Sequence, residues 1–204
     1  MAISRNNKAE IHAAIGASGS GKTTWVMSEL QRLKPKRLMI WDTKGEFARE
    51  GYAQPVTRLQ DVVSLVTGQK AFKVAFQPWG DDKRMHALFD IFCMAAFQAK
   101  NLVLVAEELS DVTLPSRAVA GWRRCTSQGR SEGITIYGLT QRPASVDKHF
   151  FGNCSTIRCG RLNYAQDVAV MANALRVEKL KIEAIRSHQW IRRDLFSGKL
   201  EFGG

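Results

Sequence analysis

Short runs of consecutive apolar residues alternate along this chain with longer stretches in which apolar positions recur every three or four residues. The runs IHAAIG (11–16), RLMIW (37–41), FKVAFQP (72–78), NLVLVAEE (101–108), GITIYGLTQ (133–141) and CSTIRCG (154–160) read as strands. Helical spacing appears in KTTWVMSELQRL (22–33), with Trp25, Val26, Leu30 and Leu33 on one face, and in LQDVVSLV (59–66). It recurs in KRMHALFDIFCMAAFQAK (83–100), SRAVAGWRRCTSQG (116–129), AQDVAVMANAL (165–175) and VEKLKIEAI (177–185). The final stretch, QWIRRDLFSGKLEF (189–202), reads as a hairpin turning at Ser197 and Gly198.

Strands that are apolar throughout, rather than at alternate positions, are buried on both faces. Alternation of such strands with helices predicts an α/β fold: a mainly parallel central sheet flanked by helices, here ending in a C-terminal β-hairpin. Ligands of these sheets bind at the carboxyl ends of the strands. Three segments therefore share one edge: the loop after the first strand, the acids after NLVLVA, and the polar residues after GITIYGL. No repeat, low-complexity tract or Pro/Gly/Ser linker divides the sequence, so residues 1–204 are expected to form a single domain, with a core over 10–160 and C-terminal helices and hairpin over 161–204.

Composition narrows the class. Hydrophobic residues make up 45% and charged ones 24% of 204 residues, ordinary proportions for a globular protein with a core. The longest apolar runs fall far short of the roughly 20 residues of a membrane span. The N-terminal MAISRNNKAEIHAA lacks the apolar centre of a signal peptide, which predicts a soluble, intracellular protein. Cys93, Cys125, Cys154 and Cys159 form no zinc-ligand spacing and read as reduced structural thiols. The balance of 30 Lys and Arg against 19 Asp and Glu gives a net charge of +11, spread over the chain with local density at KPKR (34–37), RR (123–124) and IRRD (191–194). A polyanion, nucleic acid first and an anionic membrane second, is the expected partner, met by a folded basic surface rather than a tail.

The chemistry starts at GASGSGKT (16–23), which has the phosphate-loop spacing G-x-x-x-x-G-K-[ST] between a predicted strand and a predicted helix. Gly16, Gly19 and Gly21 permit the backbone turns that aim successive N–H groups at phosphate oxygens, with Ala17, Ser18, Ser20 and Thr24 completing the cradle. Lys22 is placed to reach the β- and γ-phosphates of ATP, and Thr23 to give its hydroxyl to Mg²⁺. After the most apolar strand come Glu107 and Glu108; adjacent side chains point in different directions and can divide two tasks. Glu107 is assigned to the magnesium shell and Glu108 to the attacking water. Gln141, at the end of GLTQRP, is a neutral amide suited to contact the γ-phosphate or that water. Asp42 and Lys44, in WDTKGEF, sit where the second strand meets the same edge; Asp42 is read as ordering the site, Lys44 as facing DNA or a phosphate.

Together these segments resemble the FtsK–HerA DNA-pumping ATPases. GRSEGITIYGLTQRPASVD (129–147) is similar to the family segment in which a glycine–arginine pair precedes a strand ending in T/S-Q-R-P-S, and LMIWDTKGEF (38–47) to its second strand with a K/H-G-E triplet. The resemblance spans residues 10–160 and departs at Glu107, where the family has aspartate. It implies a RecA-like P-loop fold of the ASCE type, a hexameric ring with ATP between subunits, and double-stranded DNA held by its phosphate backbone. The size of the chain is similar to that of genome-packaging ATPases of tailless, membrane-containing viruses. That implies contact with capsid portal or vertex proteins, and residence in the host cytoplasm or at a packaging vertex of the virion. Zonula-occludens-toxin-like assembly ATPases are the alternative, although those carry a membrane segment absent here. A non-motor nucleotide kinase is another, although no arginine-rich lid is evident. A ring also implies a cation from the neighbouring subunit, an effect of about 10³–10⁵ in rate. Arg130 is the first candidate, followed by Arg124 and Arg142.

Overall fold

The computed structural model describes residues 9–204, so most of the segment examined for a signal peptide lies outside it. Strand β1 (Ile11–Ile15) leads through the glycine-rich loop into helix α1 (Lys22–Leu33), then β2 (Arg37–Trp41), the short α2 (Glu46–Arg49) and the edge strand β3 (Gln54–Val56). Next come α3 (Leu59–Gly68), β4 (Phe72–Phe76), α4 (Asp82–Ala99), β5 (Leu102–Ala106) and α5 (Leu109–Val112). A two-strand ribbon, β6 (Thr113–Leu114) and β7 (Arg117–Ala118), precedes α6 (Ala120–Gln128) and β8 (Ile134–Thr140). The chain closes with α7 (Lys148–Asn153), β9 (Thr156–Gly160), α8 (Ala165–Leu175), α9 (Lys179–Glu183), β10 (Trp190–Asp194) and β11 (Leu200–Gly203).

Nine strands form one sheet in the order β11-β10-β9-β1-β8-β5-β2-β4-β3. Its pairings from β9 to β3 are parallel; β10 and β11 add an antiparallel hairpin on the β9 side. The continuous apolar strands are buried on both faces, as their pattern requires. On one face Met39, Trp41, Phe76, Leu104 and Ile136 pack against Phe89 and Phe92 of α4, Trp122 of α6 and Met171 of α8. On the other, Leu38, Ile40, Val105 and Tyr137 pack against Val26 and Leu30 of α1 and Phe47 of α2.

The departures from the sequence reading have local causes. The helix expected from 116 begins at Ala120, because residues 113–118 fold instead into the β6–β7 ribbon. Strand β3 was unread since it is three residues long and contains Pro55; its missing N–H is tolerated at a sheet edge. Helix α7 has no apolar periodicity to read, only adjacent Phe150 and Phe151 behind an Asp147 cap that accepts from His149 N at 3.0 Å. Leu33, expected on the buried face of α1, is 40% exposed, at the last residue of the helix. The hairpin turns where expected, with Gly198 at φ +72° and Asp194 accepting from the amides of Phe196 and Ser197. All four cysteines are buried and free.

Candidate nucleotide-binding site

The loop after β1 is shaped by its glycines. Gly16, Gly19 and Gly21 have φ of +150°, +72° and +81°, and a Cβ on Gly16 would lie 2.5 Å from Ser20 Oγ, so only glycine fits there. The loop is tied down at its start: Gly16 N donates to Thr140 O (3.2 Å) and Ala17 N to Arg161 O (2.7 Å). The first bond of the α1 ladder is Trp25 N to Gly21 O at 3.0 Å, which leaves the preceding amides outside the helical ladder. These amides and the positive end of the helix dipole suit an anion.

They border a cavity of about 220 Å³ lined by residues 18–24 together with Lys44, Glu46, Glu107, Glu108, Leu139 and Gln141. The sheet thus brings the three predicted segments to one place, with Gly16 and Ala17 forming the base of the loop rather than the cavity wall. Lys22 is buried; its Nζ donates to Ala17 O at 3.1 Å, and burial lowers its pKa against the raising influence of Glu108 and Glu107.

The two acids behave differently. Glu107 is buried, and its Oε2 has no hydrogen-bond partner. Burial, then repulsion from Asp42 and Glu46, pushes its pKa up to about 8. A buried carboxyl with one unpartnered oxygen, lining the same cavity as Thr23 and a phosphate-type loop, fits a magnesium ion. Among the described residues no group of three His, Cys, Asp or Glu side chains could hold a metal by itself. Magnesium keeps several waters and needs only one or two protein ligands beside phosphate oxygens.

Glu108 adopts left-handed backbone, φ +45° and ψ +55°, a conformation costing roughly 1–3 kcal/mol for a non-glycine residue. Its carboxylate is gripped by Lys44 Nζ and by Gln141 Nε2, the latter at 2.7 Å. Burial alone would raise its pKa; the bonds from Lys44 and Gln141 outweigh this and hold it low. The site therefore pairs one carboxyl that favours its proton with one kept ionised.

The other residues read from the sequence fall into place around this pair. Asp42 is fully buried and accepts from the amides of Phe47 (3.4 Å) and Ala48 (2.9 Å), shaping the 42–48 loop that carries Lys44. Arg142 donates through Nε to the fully buried Asp167 at 2.9 Å and stacks on Tyr164 at 4.1 Å. Arg124 lies over the Phe97 ring at 4.6 Å on α6. Arg130 precedes β8, so the seven-residue strand separates it from Gln141 by roughly 20 Å. It cannot serve the cavity of its own chain. The grip of Lys44 on Glu108 was missed, because only the β2–β5 pairing, Trp41 opposite Ala106, puts the two strand ends side by side.

No protein-family model matches the chain. Over 180 residues it is 26% identical to Protein P9 of Pseudoalteromonas phage PM2, covering 86% of this chain and 79% of that protein. In structure it is similar to the genome packaging NTPase B204 of Sulfolobus turreted icosahedral virus 2 in complex with AMPPCP, with a TM-score of 0.75, 14% identity, and coverage of 96% of this chain and 97% of that one. It is less similar to the N-terminal domain of zonular occludens toxin from Neisseria meningitidis, with a TM-score of 0.51, 15% identity, and coverage of 96% and 94%. The glycine-rich loop, the mainly parallel sheet and the end-to-end match with B204 together show that this chain has a P-loop fold similar to that of B204.

Proposed function

We propose that this chain is an ATP-hydrolysing motor that translocates double-stranded DNA, packaging a viral genome into a preformed capsid. The observation that carries the reading is the match, over nearly the whole of both chains, to a genome packaging NTPase that binds AMPPCP, on a site equipped for hydrolysis. The net charge of +11 supports a polyanionic substrate held through its phosphates.

In this reading the amides of residues 18–24 and Lys22 hold the phosphates of ATP. Thr23 and Glu107 hold Mg²⁺, which offsets charge on the β- and γ-phosphates when bound. Water attacks the γ-phosphorus while the bond to the β–γ bridging oxygen breaks; its proton passes to the Glu108 carboxylate, and ADP and phosphate leave. Lys44 and Gln141 aim that carboxylate and keep it ionised. Arg130, remote from its own cavity, is assigned to the site of a neighbouring subunit in a hexameric ring, where it offsets transition-state charge. The chain acts as one ATPase domain, docking on capsid portal or vertex proteins in the host cytoplasm or at the virion vertex. Among the described residues no helix is long and apolar enough to cross a membrane.

The test is steady-state ATP hydrolysis with and without long duplex DNA at two salt concentrations. Stimulation by DNA that vanishes with salt, and a fall of about 10²–10⁴ in Glu108→Gln with ATP binding retained, are expected. Glu108-dependent turnover indifferent to DNA at every salt would favour a protein-assembly ATPase.

A further inference from the structure

The cavity accounts for only part of a nucleoside triphosphate. Its lining is backbone amides, hydroxyls, lysines and carboxyls, with Leu139 as its one large apolar residue, a chemistry suited to phosphates. A flat heterocycle has to leave the cavity and lie on the rim of the loop, where an apolar or aromatic surface is needed.

The segment joining β9 to α8 adjoins the start of the loop. Arg161 O accepts from Ala17 N, and a Cβ on Gly16 would lie 3.3 Å from Gly160 Cα. On the other side, Thr140 accepts from Gly16 N through its carbonyl and from Arg142 N through Oγ1 at 3.1 Å. The Arg142 guanidinium then covers one face of the Tyr164 ring. Tyr164 thus closes a circuit of contacts that passes through the first two residues of the phosphate loop. The ring is 54% exposed, and the cation behind it is fixed by Asp167, which also accepts from Ala144 N at 2.9 Å. A planar ring held by a pinned arginine, half exposed and tied through this circuit to the start of the phosphate loop, can act as a stacking platform.

The geometry points to Tyr164 as the surface on which the nucleobase of the bound triphosphate stacks, with Arg142 and Asp167 as the residues that position it. This rests on the nucleotide-binding reading of the loop and extends it to the base. Stacking tolerates any base, so Tyr164 supplies affinity more than discrimination among bases.

ATP and inorganic tripolyphosphate, each with magnesium, are titrated calorimetrically onto the full chain and onto Tyr164→Ala, Tyr164→Phe and Lys22→Ala. The expected result is an ATP affinity about tenfold weaker in Tyr164→Ala, with tripolyphosphate binding preserved, recovery in Tyr164→Phe, and a loss in turnover that falls on KM rather than kcat. Unchanged ATP affinity in Tyr164→Ala, with binding abolished in Lys22→Ala, would overturn the platform and leave the loop reading intact. Equal weakening of both ligands in Tyr164→Ala would show mere support of the loop, and would also overturn it. Failure of the unmodified chain to bind either ligand would remove the nucleotide reading and the platform with it.

Discussion

At the scale of single residues, the site is organised by two neighbouring glutamates in opposite protonation regimes. Glu107 has an ordinary carboxyl value of 4.5 and a folded value of about 8. Between these the folded protein holds a proton that the unfolded chain has lost, so stability without metal falls as pH rises through that window. Glu107→Gln is expected to remove this fall and to raise the melting temperature at pH 8 by several degrees; an unchanged pH–stability profile would count against it. Magnesium binding needs the ionised form, so uptake of the magnesium–nucleotide complex near pH 7 should release a proton. Calorimetry in buffers of different protonation enthalpy reads that release directly. Glu108 is governed by its partners. Lys44→Ala leaves Gln141 as its hydrogen-bond partner and lets burial raise the pKa. The acid limb of the kcat–pH profile should move to higher pH, with turnover at neutral pH down about tenfold. A limb that stays in place would show that Lys44 does not hold the base.

At the scale of elements, close approach between helices α4 and α6 overrides local propensity. Gly121, near the start of α6, donates its N–H to Asp90 Oδ1 at 2.6 Å, and a Cβ there would sit 2.4 Å from Asp90 O and 3.0 Å from Cys93 Cβ. Helix propensity alone favours alanine by about 1 kcal/mol. Overpacking against backbone costs about 1–3 kcal/mol or more, so the close contact wins. Gly121→Ala should lower the urea midpoint, with a net loss of about 1–2 kcal/mol; a gain would mean the helices can separate at little cost. The elements that carry the site were legible because each has a strong local signal: continuous apolar runs for β1, β5 and β8, and the glycine spacing before α1. The short elements α2, β3, α5 and α7 carry three to six residues each and have too few positions to express a period.

At the scale of the whole molecule, net charge bears on the proposed handling of DNA. With +11 and no basic tail, binding should rest on phosphate contacts from a folded surface. Affinity for two duplexes of unrelated sequence should then fall together, by about a hundredfold or more between 50 and 200 mM salt. Anisotropy titrations measure this; weak salt dependence, or a preference between the duplexes, would contradict phosphate-based binding.

Fold class, the phosphate loop and the pair of acids were legible along the chain, since these depend on periodicity, on glycine conformations and on residue order within single segments. How those residues act on one another is set by strand pairing and burial. The pairing of β2 with β5 sets Lys44 against Glu108, the pairing of β5 with β8 brings Gln141 to the same carboxylate, and burial beside Asp42 makes Glu107 favour its proton. Such contacts join residues 33 and 64 positions apart, and the dielectric around each group is set by what packs over it. Neither quantity is carried by any local stretch of chain.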